Sequence, residues 1–240
     1  RAPPGVPAVH NAHPHFSPGP GKDAAAKAGR IALVHNGIIE NYQELRAALQ
    51  GKGYLFNSQT DTEVISHLVD SLYEGDLFDA VKSALGQLHG AYAIAVICKD
   101  EPHRVVGARA GSPLVLGLGK EGGENFLASD AMALAGVTDQ IVYLEEGDIA
   151  DLQLGKYWVV DRLGKPVQRM ARTVQAHSGA ADLVPYPHYM PQEILQPSRA
   201  APAPLDALAA GVPLCLCLAP RRPRWAALLA PTPASRPVPH

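Results

Sequence analysis

The chain has 240 residues, a formal net charge of −2 and a hydrophobic content of 47%. The nearly balanced charge excludes a protein that binds nucleic acid through a strongly basic surface. No apolar run reaches the roughly 18–20 residues that span a bilayer, because the longest, residues 207–219, is too short and contains Pro213. The first residues, RAPPGVPAVH, lack the apolar core of a signal peptide, and three cysteines without a disulfide pattern favour a cytoplasmic protein.

The regular elements begin at residue 31. IALVHNG (31–37) has the apolar composition of a short buried strand. A helix is predicted over YQELRAALQGKG (42–53), with Asn41 as its N-cap and Glu44 three positions later to complete a capping box. The change from a strand pattern to a helix pattern therefore occurs across Asn36-Gly37 and the residues that follow it.

Two further helices and then a series of strands are predicted from the periodicity. Thr60 or Asp61 caps the second helix, and the third covers residues 77–88. The strand signals are AYAIAVICKD, RVVGARAG, PLVLGLG, ENFLASD, QIVYLEEGDIADL and KYWVVDRLG. The helices come early in the chain and the strands come late. This order predicts an α+β domain in which helices and sheet form layers and most strands pair antiparallel.

The C-terminal residues differ in composition from this middle part. Nine of the 22 prolines follow residue 200, where Asp206 is the only acidic residue. Proline at this density blocks regular helix and central strand, so residues 198–240 are predicted to be a tail without regular structure. Within it, GVPLCLCLA (211–219) is apolar enough to dock on an exposed sheet edge.

Two interpretations of Asn36-Gly37 are open from the residues alone. Both residue types tolerate positive φ, which makes an ordinary turn the simpler interpretation. The alternative is that a side-chain amide and a backbone N–H are presented together to a ligand.

His13 and His15 in NAHPH could share a metal ion. No further ligands nearby complete a site, so no metal is predicted.

Eight strings, in this order and spacing, resemble one known family. They are NAHPH (11–15), VHNGIIEN (34–41), TDTEVI (60–65), QLHGAYAIAV (87–96), GSPLVLGLG (111–119), LASDAMAL (127–134), YLEEGDIA (143–150) and HYMPQEI (188–194). Together they are similar to the glutaminase domain, a class II glutamine amidotransferase domain, of the glutamine–fructose-6-phosphate aminotransferases (isomerizing), also called glucosamine-6-phosphate synthases. The domain is placed over residues 1–197. LEEGDIA and HYMxxEI favour this family over the PRPP amidotransferases and glutamine-type asparagine synthetases.

The resemblance implies a four-layer αββα sandwich of the N-terminal-nucleophile hydrolase type. It implies an enzyme of hexosamine biosynthesis in which a cysteine at the start of the mature chain hydrolyses glutamine, with its own α-amine as the base. Ammonia then passes to a sugar-phosphate isomerase domain that converts fructose 6-phosphate to glucosamine 6-phosphate. No cofactor is implied, no nucleic acid or membrane partner is expected, and the parent enzyme is expected to be a cytoplasmic homodimer.

The resemblance also assigns roles to particular residues. Asn36 and Gly37 correspond to the oxyanion hole, where a side-chain N–H and a backbone N–H stabilise the tetrahedral intermediate. Asp61 corresponds to the acid that binds the α-amino group of glutamine, although an ordinary helix cap would also explain it and both roles are compatible. Gly37 and His13 are expected at the glutamine pocket, with His13 ordering the adjacent loop.

The chain also departs from the family pattern. It starts with Arg1, so none of its cysteines is the expected nucleophile, and RAPPG stands where the family carries a Thr-His-Gly motif. No sugar-isomerase sequence follows residue 197. These departures predict a truncated or frame-shifted product that is inactive alone. A non-catalytic fragment or glutamine-binding remnant, and another class II amidotransferase, are the alternatives.

Overall fold

The computed structural model describes residues 8–21, 29–119 and 123–174 and the backbone of the strand at 215–218. The helices are α1 (Tyr42–Gly51), α2 (Asp61–Ser71) and α3 (Leu77–Leu85), with 3-10 helices at Val9–Asn11 and Ala131–Leu134. The strands are β1 (His15–Ser17), β2 (Ile31–Ile39), β3 (Gly90–Cys98), β4 (Glu101–Ala110), β5 (Val115–Leu118), β6 (Asn125–Ala128), β7 (Gln140–Tyr143), β8 (Ile149–Gln153), β9 (Lys156–Val160), β10 (Pro166–Val167), β11 (Ala171–Thr173) and β12 (Cys215–Leu218).

These strands form two sheets. The first has seven strands in the order β1-β2-β3-β4-β8-β9-β10, and the second has five in the order β11-β7-β5-β6-β12. Neighbouring strands pair antiparallel throughout both sheets. The antiparallel pairing predicted from the sequence is therefore confirmed.

Alternation along the strands of the first sheet places a hydrophobic core on each of its two faces. On β3, Ile94 and Val96 face the helices, while Ala93 and Ala95 face the second sheet, because successive side chains of a strand point to opposite sides. The outer face of the second sheet packs on the 3-10 helix Ala131–Leu134. The predicted α+β class is confirmed. The described residues form one helical layer and two sheet layers, and this short helix lies on the outer side of the second sheet, at the position expected for a fourth layer.

The helix α2 lies at the centre of the helical layer. The hydroxyl of Thr60 accepts a hydrogen bond from the backbone N–H of Glu63, so Thr60 is the N-cap. The helix packs on β1 and β2 and also on α1 and α3, and residues 61–70 are all buried. This all-round burial fixes the position of the N-terminal turn of α2 against the end of β2.

Two details of the predicted elements were wrong. Asn41 occupies the N-cap position of α1, but its side chain makes no capping hydrogen bond. Its amide instead donates to the carbonyl of Gln87 and accepts from the N–H of His89, so the predicted capping box does not form. The segment 140–152 is also two strands, β7 and β8, because Gly147 adopts a φ of +82° in the turn between them.

The C-terminal tail is described only at Cys215–Leu218. This stretch of the GVPLCLCLA segment forms β12 and pairs antiparallel with β6, with Leu216 opposite Leu127. The remainder of the predicted tail, like the HYMPQEI string, lies outside the described residues. No helix within the described part of the chain has the length and apolar character needed to cross a membrane.

Candidate functional site

Gly37 lies on β2 in a conformation that requires glycine. Its φ is +144°, in the region that side chains disfavour. A Cβ atom at this position would lie 2.0 Å from the carbonyl oxygen of Ala91 and 2.9 Å from Nε2 of His35. The backbone of β2 therefore approaches β3 so closely here that any side chain would clash with it.

Asn36 and His35 point to opposite faces of the first sheet. His35 is buried on the helical side, where its Nδ1 lies 3.3 Å from the hydroxyl oxygen of Thr62. Asn36 lies two positions after Val34 and therefore on the same face of the strand. Val34 packs in the core between the sheets, and Asn36 is half-buried. Asn36 and Gly37 therefore lie next to each other on β2, with the side chain of Asn36 on the face opposite to that of His35.

Asp61 is the first residue of α2 and is only 1% exposed. Its Oδ2 accepts a hydrogen bond from the backbone N–H of Ile39 at 2.9 Å, which joins the helix to the end of β2. Its Oδ1 has no hydrogen-bond partner among the described residues and lies 4.0 Å from Nδ1 of His35. Because Thr60 is the cap, helix capping does not explain the carboxylate of Asp61.

His13 approaches the same helix from the N-terminal loop. Its Nε2 lies 3.1 Å from the hydroxyl oxygen of Thr62, the atom that also contacts His35. Burial lowers the pKa of His13, and the nearby Asp61 acts in the opposite direction. The structure thus brings His13, His35 and Asp61 together around Thr62.

A further set of buried polar residues supports this region. The hydroxyl oxygen of Thr60 lies 3.1 Å from Nε2 of His15 and 2.9 Å from the hydroxyl oxygen of Ser58. The carboxylate of Glu63 accepts hydrogen bonds from the N–H of Asn57 and from both the N–H and the hydroxyl of Ser58. These contacts hold the loop before α2 and leave the first turn of the helix fixed.

Histidines in this region are kept neutral by burial. Desolvation lowers the pKa of His35 and of His67, and it lowers the pKa of His15 to about 4. No group of three or more His, Cys, Asp or Glu side chains suited to a metal ion occurs within the described ranges.

Sequence reasoning did not single out His35 or Thr62. Both lie inside quoted strings, immediately next to predicted site residues, in VHNG and in TDTEVI. The available signal for His35 was a polar residue within an apolar strand. The available signal for Thr62 was its position directly after Asp61.

Comparison with known proteins finds a glutamine amidotransferase domain in this chain. Residues 20–136 match the model of the glutamine amidotransferase domain. The chain is 66% identical over 196 residues to the glutamine–fructose-6-phosphate aminotransferase (isomerizing) of Bordetella pertussis, covering 82% of this chain and 31% of that protein. It is 53% identical over 194 residues to the enzyme of the same name from Pseudomonas putida, covering 79% and 30%.

A solved structure, the glutamine PRPP amidotransferase of B. subtilis with ADP and GMP, matches with a TM-score of 0.47 and 24% identity, covering 55% of this chain and 29% of that one. The chain spans about a third of the length of the curated relatives it matches. The domain match and the identity to these relatives show a glutamine amidotransferase domain over residues 20–136 of this chain.

Proposed function

We propose that this chain carries the glutamine-binding part of a glutaminase site, in a protein that transfers the amide nitrogen of glutamine to fructose 6-phosphate. The observation that carries the proposal is the carboxylate of Asp61, which is buried at a helix N-terminus with Oδ1 unpartnered among the described residues. A buried polar atom without a partner is costly, and an ammonium group would satisfy it. The α-amino group of glutamine is such a group.

Asn36 and Gly37 supply the second half of the proposed site. In the proposed reaction, the amide N–H of Asn36 and the backbone N–H of Gly37 donate to the oxygen of the tetrahedral intermediate. Glycine at position 37 allows the backbone a φ of +144° and the close contact with Ala91. His13 and the loop around it complete the side of the pocket near Asp61.

The nucleophile is expected to be the N-terminal cysteine of the family. Cys98 does not replace it, because this thiol is buried in β3 and burial raises its pKa. This observation favours a second candidate function for the chain by itself, namely glutamine binding without hydrolysis. The cytoplasmic location, the homodimeric parent and the transfer to fructose 6-phosphate remain part of the proposal.

A binding experiment with the full chain tests the role of Asp61. Glutamine and 4-carbamoylbutanoate, which is glutamine without the α-amino group, are titrated and followed by ligand-observed NMR. The wild-type chain is expected to bind glutamine more tightly, and Asp61→Asn is expected to abolish the difference. Asp100→Asn, in an exposed turn, is the matched control and should leave it unchanged. Equal binding of the two compounds by the wild-type chain would contradict the proposal.

A further inference from the structure

The hydroxyl of Thr62 connects two imidazoles that come from distant parts of the chain. Nε2 of His13 lies 3.1 Å from Oγ1, and Nδ1 of His35 lies 3.3 Å from the same atom. A hydroxyl carries a single proton, so it donates to one of these nitrogens and accepts from the other. Which nitrogen receives the proton of Thr62 depends on the tautomer of His35, and that tautomer depends on the group next to Nε2 of His35.

Nε2 of His35 lies near the carbonyl of Ala91, because a Cβ of Gly37 would lie 2.9 Å from this nitrogen and 2.0 Å from the Ala91 oxygen, but the two groups form no hydrogen bond. A protonated Nε2 is attracted by a carbonyl oxygen, and an unprotonated one is repelled by it. His35 is therefore expected as the Nε2–H tautomer, with Nδ1 as an acceptor. Asp61 does not reverse this, because its Oδ1 is 4.0 Å from Nδ1 and beyond hydrogen-bond distance.

The remaining hydrogen bonds follow from that tautomer. Thr62 donates its proton to Nδ1 of His35, and its oxygen accepts the Nε2–H of His13. The same Ala91 carbonyl that faces His35 lies where a Cβ of Gly37 would be. One directed series of contacts thus connects His13, beside Asp61, with the backbone of Gly37.

We propose that Thr62 and His35 are positioning residues whose directed hydrogen bonds hold His13 and the Gly37 segment in the geometry that binds glutamine. The inference rests on the proposed function of the site. Neither side chain is required to touch glutamine: Thr62 acts through both imidazoles, and His35 acts through Ala91. Both are buried, so their arrangement is established when α2 packs on β2.

The tautomers are tested directly by long-range ¹⁵N NMR of the full chain labelled at histidine. His13 and His35 are both expected in the Nε2–H form. Thr62→Val should remove this preference at His13, and Thr62→Ser, which keeps the hydroxyl, should restore it. Finding the Nδ1–H form of His35 in the wild-type chain would overturn the proposal without any variant, and so would an unchanged His13 tautomer in Thr62→Val.

Titration with glutamine tests the consequence. Thr62→Val is expected to weaken glutamine binding roughly 5- to 10-fold, the effect of losing about one hydrogen bond, while Thr62→Ser stays within about two-fold of wild type. Thr138→Val makes the same change at a buried threonine in the loop before β7 and should leave binding unchanged. If the wild-type chain binds glutamine and Thr62→Val binds it with the same affinity, the positioning role alone is overturned. Absence of glutamine binding in the wild-type chain overturns the proposed function as well.

Discussion

The carboxylate of Asp61 accepts the backbone N–H of Ile39 at 2.9 Å, so the first residue of α2 holds the last residue of β2. The two residues are 22 positions apart, and the contact is buried. It uses one carboxylate oxygen and leaves the other directed at the space around His35. A single side chain thereby combines a structural contact with an acceptor that has no hydrogen-bond partner in the described part of the chain.

The two oxygens of Asp61 predict different effects for two substitutions. Asp61→Ala removes the acceptor for the Ile39 N–H and should lower the free energy of unfolding by about 1–3 kcal/mol, because a buried donor is left unpaired. Asp61→Asn keeps an acceptor and should lose less. Urea denaturation of both variants checks this, and equal stability of the two would contradict the structural role of the contact.

Gly37 is predicted to tolerate no side chain. Gly37→Ala places a methyl group 2.0 Å from the Ala91 carbonyl oxygen and adds strain at a φ of +144°. We expect a loss of more than about 2 kcal/mol of folding stability, since strained backbone and close contact add together. Thermal unfolding of the purified variant measures it.

Gly51 is the matched control for that substitution. It lies in α1, and a Cβ there would have no neighbour within 4 Å. Gly51→Ala should therefore be neutral or stabilising by up to about 1 kcal/mol, because alanine favours helix. If the two glycine variants unfolded at the same temperature, the close approach of β2 to β3 would be in doubt.

The buried histidines predict a loss of stability in mild acid. In the unfolded chain His15 takes up a proton near pH 6.5, whereas in the folded chain its pKa is lowered to about 4 by burial and by His13, against the opposing carboxylates of Glu63 and Asp61. Between these values the unfolded state binds more protons. The contribution of His15 is thus fully present above pH 6.5 and is lost as the pH falls toward 4.

Chemical denaturation at pH 7.5 and pH 4.5 measures this effect. His15→Gln should reduce the difference in stability between the two pH values. The same substitution at His103, which is exposed on β4, should leave the difference as it is in the wild type. A His15→Gln chain with the full wild-type dependence on pH would show that His15 does not contribute.

The sequence predicted the helices and most strands because their signals are local. The apolar spacing within residues 61–72 and the threonine before it specify α2 without reference to the rest of the chain. The capping box at Asn41 was wrong because the side chain of Asn41 is used by Gln87 and His89, more than 40 positions away. A local pattern contains no information about such a partner.

The candidate site also contains residues that the sequence predicted and residues that only the structure revealed. Asn36, Gly37, Asp61 and His13 were predicted because their strings resemble a family. His35 and Thr62 were missed because each has an ordinary position in a strand or helix. Their significance arises only when α2 packs on β2 and brings the hydroxyl to both imidazoles. Contacts between residues distant in sequence therefore required the structure.

The proposed role of Asn36 and Gly37 is to stabilise the tetrahedral intermediate of glutamine hydrolysis. The most direct measurement is glutaminase activity of this chain joined to the N-terminal segment of the family, which begins with the nucleophilic cysteine, beside the same protein carrying Asn36→Ala. We expect hydrolysis in the joined protein and a fall in kcat of roughly 10²–10³ in the variant with KM little changed, because the hydrogen bond strengthens only in the transition state. An unchanged kcat in Asn36→Ala would contradict this role.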